Sequence, residues 1–405
     1  VDVTFQDIKK AQQAIAGQII RTPTVKATRL SLRSGVNIYL KLENLQHTAS
    51  FKARGALNCL LNLDDDAKKR GVIASSAGNH AQGVAFHANR LGIPATIVMP
   101  KGTAFNKVQK TEEFGAKVIL AGDNYDETQA FTHELAAKEN LAFVHPFDDP
   151  HVVAGQGTLG IEMLEDQPNL HKIIVPIGGG GLISGVATAV KHMNPDIEVI
   201  GAQADLYNAV KRHYDANTDH VEGGATLAEG IAVKTPAART LRIIKQHVQR
   251  VESASEQEIE DAIFNLLSSE KLVAEGAAGA GLAAIFKNKE EFKGQNIGLV
   301  LCGGNIDSRL LSTLILRGML REGRIARLRF EIDDTPGQLA DISNLIGDEG
   351  ANVIEVIHQR LMQAVPLKRA ELDMVIEARD SAHVQDILTN LRGKGFKVQQ
   401  MNEVA

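Results

Sequence analysis

The sequence predicts an α/β protein built on mostly parallel sheet, followed by a small α+β domain of βαββαβ order. Three observations carry that expectation. Short β-branched runs alternate with longer helical stretches between about residues 36 and 320. Glycine-rich segments stand at the carboxyl ends of several of those runs. After about residue 322 the continuous apolar runs give way to period-2 alternation.

Taken in order, Val72–Ser75, Ala95–Met99, Lys117–Leu120, Lys172–Pro176, Glu198–Gln203 and Asn296–Leu301 read as buried strands. His80–Arg90, Tyr125–Asn140, Leu182–Met193 and Gln257–Glu270 read as helices between them. Parallel strands joined this way take right-handed crossovers, and ligands gather beyond their carboxyl ends. In the last part Leu328, Phe330 and Ile332 share one strand face. Asp334-Thr335-Pro336-Gly337 is a helix-start signal, and Leu339, Ile342 and Ile346 form the stripe after it. Asn352–Gln359 reads as a strand, as does the alternation of Leu372, Met374 and Ile376. Val384, Ile387, Leu388 and Leu391 make a second helical stripe, and Lys397–Met401 a last strand. The expected domains are residues 1–322 and 323–405, joined at Arg321-Glu322-Gly323-Arg324.

Composition narrows the function. At 405 residues the chain is too long for one core. Hydrophobic residues make up 44% and charged residues 23%, an ordinary soluble balance. A net charge of −5 offers no basic field for nucleic acid or an anionic membrane. No apolar run approaches the ~20 residues that span a bilayer. Val1–Lys10 lacks the apolar stretch of a signal peptide. Cys59 and Cys302 lie far apart and outside any metal-type spacing, which fits a reduced, cytoplasmic compartment.

Four segments carry chemistry. Lys52, in Ala49-Ser50-Phe51-Lys52-Ala53-Arg54-Gly55, opens a helical stretch with an apolar stripe. Apolar surroundings lower a lysine pKa, and a neutral amine can condense with a carbonyl; the alternative is a solvated surface lysine. Ser75-Ser76-Ala77-Gly78-Asn79-His80 lies between a strand and a helix. Small residues and free N–H groups there suit a carboxylate; a well-capped turn would look the same. Gly178-Gly179-Gly180-Gly181-Leu182 follows a strand and opens a helix, an arrangement that wraps N–H groups around a phosphate, or else a flexible loop. It is not a P-loop, because no Gly-Lys-Ser/Thr follows, and its spacing departs from the dinucleotide fingerprint. Cys302, in Leu301-Cys302-Gly303-Gly304-Asn305-Ile306-Asp307, can present a weakly polar sulfur to a ring nitrogen or serve as a buried thiol.

Together, in this order, these segments resemble the fold-type-II pyridoxal-phosphate enzymes, the two-lobed architecture of the tryptophan synthase β type. Within that group they resemble the threonine and serine dehydratases, and the last part resembles an ACT domain. The resemblance implies that Lys52 anchors pyridoxal 5'-phosphate and is the catalytic base. It implies Phe51 packed by the ring, Asn79 on the ring hydroxyl, Cys302 facing the ring nitrogen, and Gly178, Gly179, Gly180, Gly181 and Leu182 on the phosphate. Ser76, Ala77, Gly78, Asn79 and His80 would surround the substrate carboxylate, with Gln156 in the same pocket. Glu229, in Ala228-Glu229-Gly230, is the candidate ligand for a monovalent or divalent cation. In the ACT-like part Asp334, Gly337 and Asn352 would bind an amino-acid effector. A homodimer or homotetramer is implied.

The activity implied is elimination of water and then ammonia from threonine or serine. Serine racemases of this type carry a serine where Ala77 stands, and a methyl group donates no proton. A serine racemase or serine dehydratase is the nearest rival. A nicotinamide oxidoreductase and a non-catalytic amino-acid sensor are the rivals from other classes.

Overall fold

The structure is a computed structural model of the chain, and it describes residues 2–216, 221, 223–359 and 369–401. Two compact units divide it, Val1–Ile306 and Asp307–Ala405. The division falls earlier than the linker read from sequence. Helix Ser308–Arg321 groups with the second unit, where Leu314 and Gly318 are its buried positions.

The first unit holds two sheets. The larger has six strands in the order Thr24–Lys26, Asn37–Leu42, Asn296–Leu301, Lys172–Pro176, Glu198–Ala204 and Arg250–Ala254. All its pairings are parallel except that of Thr24–Lys26 with Asn37–Leu42. The smaller has four parallel strands in the order Lys117–Leu120, Ala95–Met99, Val72–Ser75 and Ala142–Phe143. Each sheet reverses its winding once. In the smaller sheet Val72–Ser75 has later strands on both sides. In the larger, Lys172–Pro176 is followed outward by Glu198–Ala204, whereas Asn296–Leu301 returns to its other side. Loops at such reversals splay apart and leave a crevice beyond the carboxyl ends of the strands. The glycine loop, the Ser76–Gly78 turn and the Cys302–Asp307 segment all follow these strands.

Helix Pro150–Asp166 runs through the middle of the unit and is buried from Val152 to Leu164. Its start is fixed by Asp149, whose side chain accepts from the His151 and Val152 N–H groups, and by a proline in its first turn. Two neighbouring helices approach it at glycines. A Cβ on Gly155 would lie 2.7 Å from Gly55 Cα in helix Lys52–Leu61, and one on Gly185 would lie 2.3 Å from Val153 O. Neither approach tolerates a side chain, so the helix that begins at Lys52 is held at backbone contact distance.

Beneath that helix lies a buried ion cluster. Arg54 donates to Glu43 at 2.8 Å and to Glu162 at 2.7 Å, and Lys41 meets Glu162 at 2.6 Å. Thr22 also donates to Glu43.

The second unit carries a four-stranded antiparallel sheet in the order Asn352–Gln359, Arg369–Glu377, Ile325–Asp333 and Lys397–Met401. With helices Gln338–Asp348 and Ser381–Gly393 this is the βαββαβ order expected, in ferredoxin-like arrangement. Leu328, Phe330, Ile332, Leu372, Met374 and Ile376 pack against Ile342, Ile346, Val384 and Ile387. The alternation read from sequence therefore points one strand face to the helices. Among the described residues no helix is long and apolar enough to cross a membrane.

Candidate active site

Lys52 opens helix Lys52–Leu61, and the start of that helix is tied to the end of strand Asn296–Leu301. Phe51 N donates to Cys302 O at 3.0 Å, Gly304 N donates to Ala49 O at 2.9 Å, and Ser50 forms a bridge with Gly303. The half-buried Lys52 donates its amine to the Pro146 carbonyl at 2.6 Å. Burial pushes its pKa down to about 8, against the opposing pull of Glu275. The solvated-lysine alternative is thereby overturned.

The loop Val144–Asp148 follows strand Ala142–Phe143 and links Lys52 to the other segments. His80 contacts Val144 O through Nε2 at 2.9 Å, and His145 Nδ1 accepts from Asp148 N at 2.7 Å. Burial pushes His80 down to about 3 and His145 to about 4, so both rings are neutral. Phe147 seals the glycine loop. A Cβ on Gly179 would lie 2.4 Å from the Phe147 ring, and one on Gly181 would lie 2.7 Å from its carbonyl oxygen.

The loop itself is a cradle of donors. Gly180 is left-handed, with φ +92°, and stands as N-cap of helix Gly181–Met193. Among the described residues the N–H groups of Gly178, Gly179 and Gly180 reach no protein acceptor. Donor-only backbone at the positive end of a helix suits an anion such as a phosphate. Leu182 lies in the first turn of that helix and is buried. In the Ser76–Gly78 turn, Gly78 N donates to Ser76 Oγ at 3.2 Å, whereas the Ala77 and Asn79 N–H groups have no protein acceptor among the described residues.

Asn79 is fixed from two sides. Its Oδ1 accepts from Asn305 Nδ2 at 2.8 Å, and its Nδ2 donates to both oxygens of Glu275 at 2.9 Å. Cys302 is buried, and its Sγ donates to Glu275 Oε1 at 3.8 Å. Burial and the neighbouring Glu275 push its thiol well above the ordinary value, so the sulfur keeps its proton.

Phe51, Lys52, Asn79, His80, Cys302 and the glycine loop are thus connected through shared neighbours. Two other candidates already have protein partners of their own. Gln156 Oε1 accepts from Gly55 N at 3.2 Å between two helices, so its carbonyl braces the Lys52 helix, while its buried Nε2 has no partner among the described residues. Glu229 sits on an exposed short turn and forms an ion pair with Lys107, which already neutralises its charge. Among the described residues no group of three or more His, Cys, Asp or Glu could hold a metal ion. Asp334 stands in the turn after strand Ile325–Asp333, Gly337 is the left-handed N-cap of helix Gln338–Asp348, and Asn352 begins its strand.

Sequence reading missed Glu275, Pro146 and Phe147, and gave Asn305 no role. Glu275 had one available signal, a lone acid inside the small and apolar run Val273–Gly281.

The donor set fits pyridoxal phosphate: a depressed amine for its aldehyde, free N–H groups for its phosphate, and a fixed side-chain amide between them. Comparisons with known proteins agree. Residues 15–303 match the family model described as pyridoxal-phosphate dependent enzyme. The chain is 44% identical over 398 residues to an L-threonine ammonia-lyase of Thermotoga maritima, covering 98% of this chain and 99% of that one. The processed form of threonine deaminase isoform 2 from Solanum lycopersicum superposes with a TM-score of 0.73 at 33% identity, covering 76% of this chain and 92% of that one. Serine racemase from Dictyostelium discoideum gives a TM-score of 0.70 at 32% identity, covering 75% and 99%. An amine, an anion cradle and this breadth of likeness converge on one family, and the chain belongs to the pyridoxal-phosphate-dependent enzymes.

Proposed function

We propose that the enzyme removes water and then ammonia from L-threonine, giving 2-oxobutanoate, and acts likewise on L-serine to give pyruvate. The observation that carries this reading is the Lys52 amine, with its pKa pushed down to about 8 and linked through Pro146 and Phe147 to the glycine cradle. The full-length likeness to an L-threonine ammonia-lyase supports the choice of substrate. Pyridoxal phosphate supplies an aldehyde that captures the substrate amine and a conjugated ring that accepts electrons from the adjoining carbon.

The chain supplies the rest. Gly178, Gly179, Gly180, Gly181 and Leu182 hold the phosphate through N–H groups. Asn79 serves the ring hydroxyl with the amide hydrogen that Glu275 leaves over, since a side-chain amide has two donors. Phe51 packs by the ring, and the protonated Cys302 sulfur faces its nitrogen. Ser76, Ala77, Gly78, Asn79 and His80 receive the substrate carboxylate. Lys52, whose pKa of about 8 leaves a usable fraction of free amine near physiological pH, takes the Cα proton.

Ala77 separates this reading from a racemase. Reprotonation on the opposite face needs a donor there, and a methyl group has none. The test is turnover of L-threonine, L-serine and L-threo-3-hydroxyaspartate with cofactor added, scoring keto acid and D-serine. Keto acid from threonine, with D-serine a trace product, is expected. D-serine as the main product would sink the reading.

For the second unit we propose an ACT-like regulatory role, with an amino-acid effector at Asp334, Gly337 and Asn352. The ferredoxin-like topology and the left-handed Gly337 at a helix start support it. An effector must bind two states differently to regulate. Titrating isoleucine and valine against activity tests it, with a change in activity expected from at least one. The assembly proposed is a homodimer or homotetramer in the cytoplasm, where the free thiols of Cys59 and Cys302 stay reduced.

A further inference from the structure

Glu275 is a carboxylate that sequence reading did not single out, and no helix-capping duty accounts for it. It is only 8% exposed. It is the N-cap of helix Gly276–Lys287, yet its side chain makes no capping hydrogen bond. The usual reason for an acid at a helix start is therefore missing. The carboxylate turns inward, where both oxygens meet Asn79 Nδ2 at 2.9 Å and Oε1 lies 3.8 Å from Cys302 Sγ. Its backbone N–H donates to Gly303 O at 3.0 Å. Space has been left for it: a Cβ on Gly303 would lie 2.6 Å from Glu275 Oε1. Burial pushes its carboxyl up, while hydrogen bonds from Asn79, the Asn305 backbone and Cys302 and the charge of Lys52 pull it back toward the ionised form; each of these partners belongs to the active site.

We propose that Glu275 is a positioning residue for the elimination: it fixes the Asn79 amide and supplies the one negative charge that faces the Lys52 amine. This rests on the reading of Lys52 as the reactive amine. Four titratable groups face that amine: Glu275, Cys302, His80 and His145. Both histidines are neutral and the Cys302 thiol keeps its proton. Among the described residues Glu275 is the acid that can balance the charge Lys52 acquires when it takes a proton from the substrate, and that charge in turn favours the ionised carboxylate. Burial opposes the ammonium form and Glu275 favours it, and the balance leaves the amine able both to accept a proton and to release one. Through Asn79 the same carboxylate also reaches Asn305, which donates from the Cys302–Asp307 segment to Thr48 O at 2.8 Å. One acid thereby joins the segments that follow strands of both sheets.

The test compares wild type, Glu275→Gln and Glu275→Asp as full-length chains. In cofactor-free protein, labelling of Lys52 by an amine-selective reagent is followed by peptide mass spectrometry from about pH 6 to about pH 10, a range chosen to bracket the depressed amine. The wild-type midpoint is expected at about 8. An anion beside an ammonium favours the charged form, so its removal in Glu275→Gln lowers the midpoint, by roughly one pH unit. In the loaded enzyme kcat on L-threonine falls by about 10- to 100-fold, with KM within about 3-fold. Glu275→Asp recovers part of kcat and moves the midpoint back toward wild type.

A Glu275→Gln midpoint equal to wild type overturns the proposal, even if kcat falls, because a merely structural role lowers activity without moving it. A KM rise that accounts for the whole loss overturns it too. Failure of the parent reading looks different: Lys52→Ala then keeps activity, whatever Glu275→Gln does. If Glu275→Gln does not fold, Glu275→Asp carries the same comparison: its midpoint must lie below that of wild type with reduced kcat, and an unmoved midpoint overturns the proposal.

Discussion

Lys52→Ala loses turnover by at least about 10⁴-fold, because it removes both the nucleophile that anchors the cofactor and the base at Cα. The fold survives the change. Among the described residues the amine makes one hydrogen bond, to Pro146 O, and burial makes its charged form unfavourable. A lysine whose folded pKa is depressed to about 8 loses stability in its ammonium form as pH falls through the interval between the unfolded and folded values. At neutral pH the native lysine is therefore a burden on the cofactor-free protein, a case of stability yielding to function. Cofactor-free Lys52→Ala should melt at or above the temperature of cofactor-free wild type. Its loaded form should lose the absorbance near ~410 nm that reports a cofactor joined to an amine, and borohydride should fix no cofactor to the chain. Residual turnover within about tenfold of wild type would remove Lys52 from the chemistry.

Arg54→Ala destabilises the protein by about 3–5 kcal/mol, the cost of breaking a buried pair by removing one partner. Arg54 and Glu43 are both fully buried, and Arg54 bridges Glu43 to Glu162. Glu162 keeps Lys41 at 2.6 Å after the change, so Glu43 is the group that loses its ion pair, left with the Thr22 hydrogen bond and the weaker, more distant pull of Lys41. The pH dependence should reverse in sign. In the wild type burial would push the Glu43 carboxyl up, but the Arg54 charge and hydrogen bonds overcome it and hold the carboxyl below its ordinary value. That contribution is complete above the unfolded carboxylate pKa and is lost as pH falls through the depressed value. In the variant burial prevails, Glu43 takes up a proton, and the deficit shrinks as pH falls. Urea unfolding at neutral and mildly acidic pH reads both effects. A loss under about 1 kcal/mol at neutral pH would mean that the cluster contributes no more than a surface pair. Because Arg54 lies within the helix that starts at Lys52, the loaded variant should also lose activity through misplacement of the amine.

Much of the frame is legible in the chain. Val72–Ser75, Ala95–Met99, Lys117–Leu120, Lys172–Pro176 and Asn296–Leu301 begin and end where the apolar runs do. Strands buried on both faces leave an uninterrupted signature; Lys117–Leu120, expected to be buried as well, is instead a half-exposed edge strand with no buried residue, since the sheet ends there. Asn37–Leu42 escaped because Lys41 interrupts its apolar run. That lysine is fully buried and tolerable only because Glu162 stands opposite, a partner 121 residues away. Arg250–Ala254 escaped for the reason that edge strands usually do, since Arg250 and Glu252 face outward and break the pattern.

The site divides along the same line. By itself the sequence determined which chemical groups are present and which loops carry them: an amine at a helix start, glycines where a phosphate needs bare backbone, a thiol after a strand, and a second domain whose alternation fixes its inner face. Those properties are local, set by residue type and by spacing within one turn or one strand. Only the tertiary structure decided that Glu275 meets Asn79 across 196 residues, that Gln156 braces a helix, that Glu229 is neutralised by Lys107, and that Lys52 sits at about 8. Proton affinity and hydrogen bonding depend on what surrounds an atom in space, and separation along the chain does not encode those surroundings.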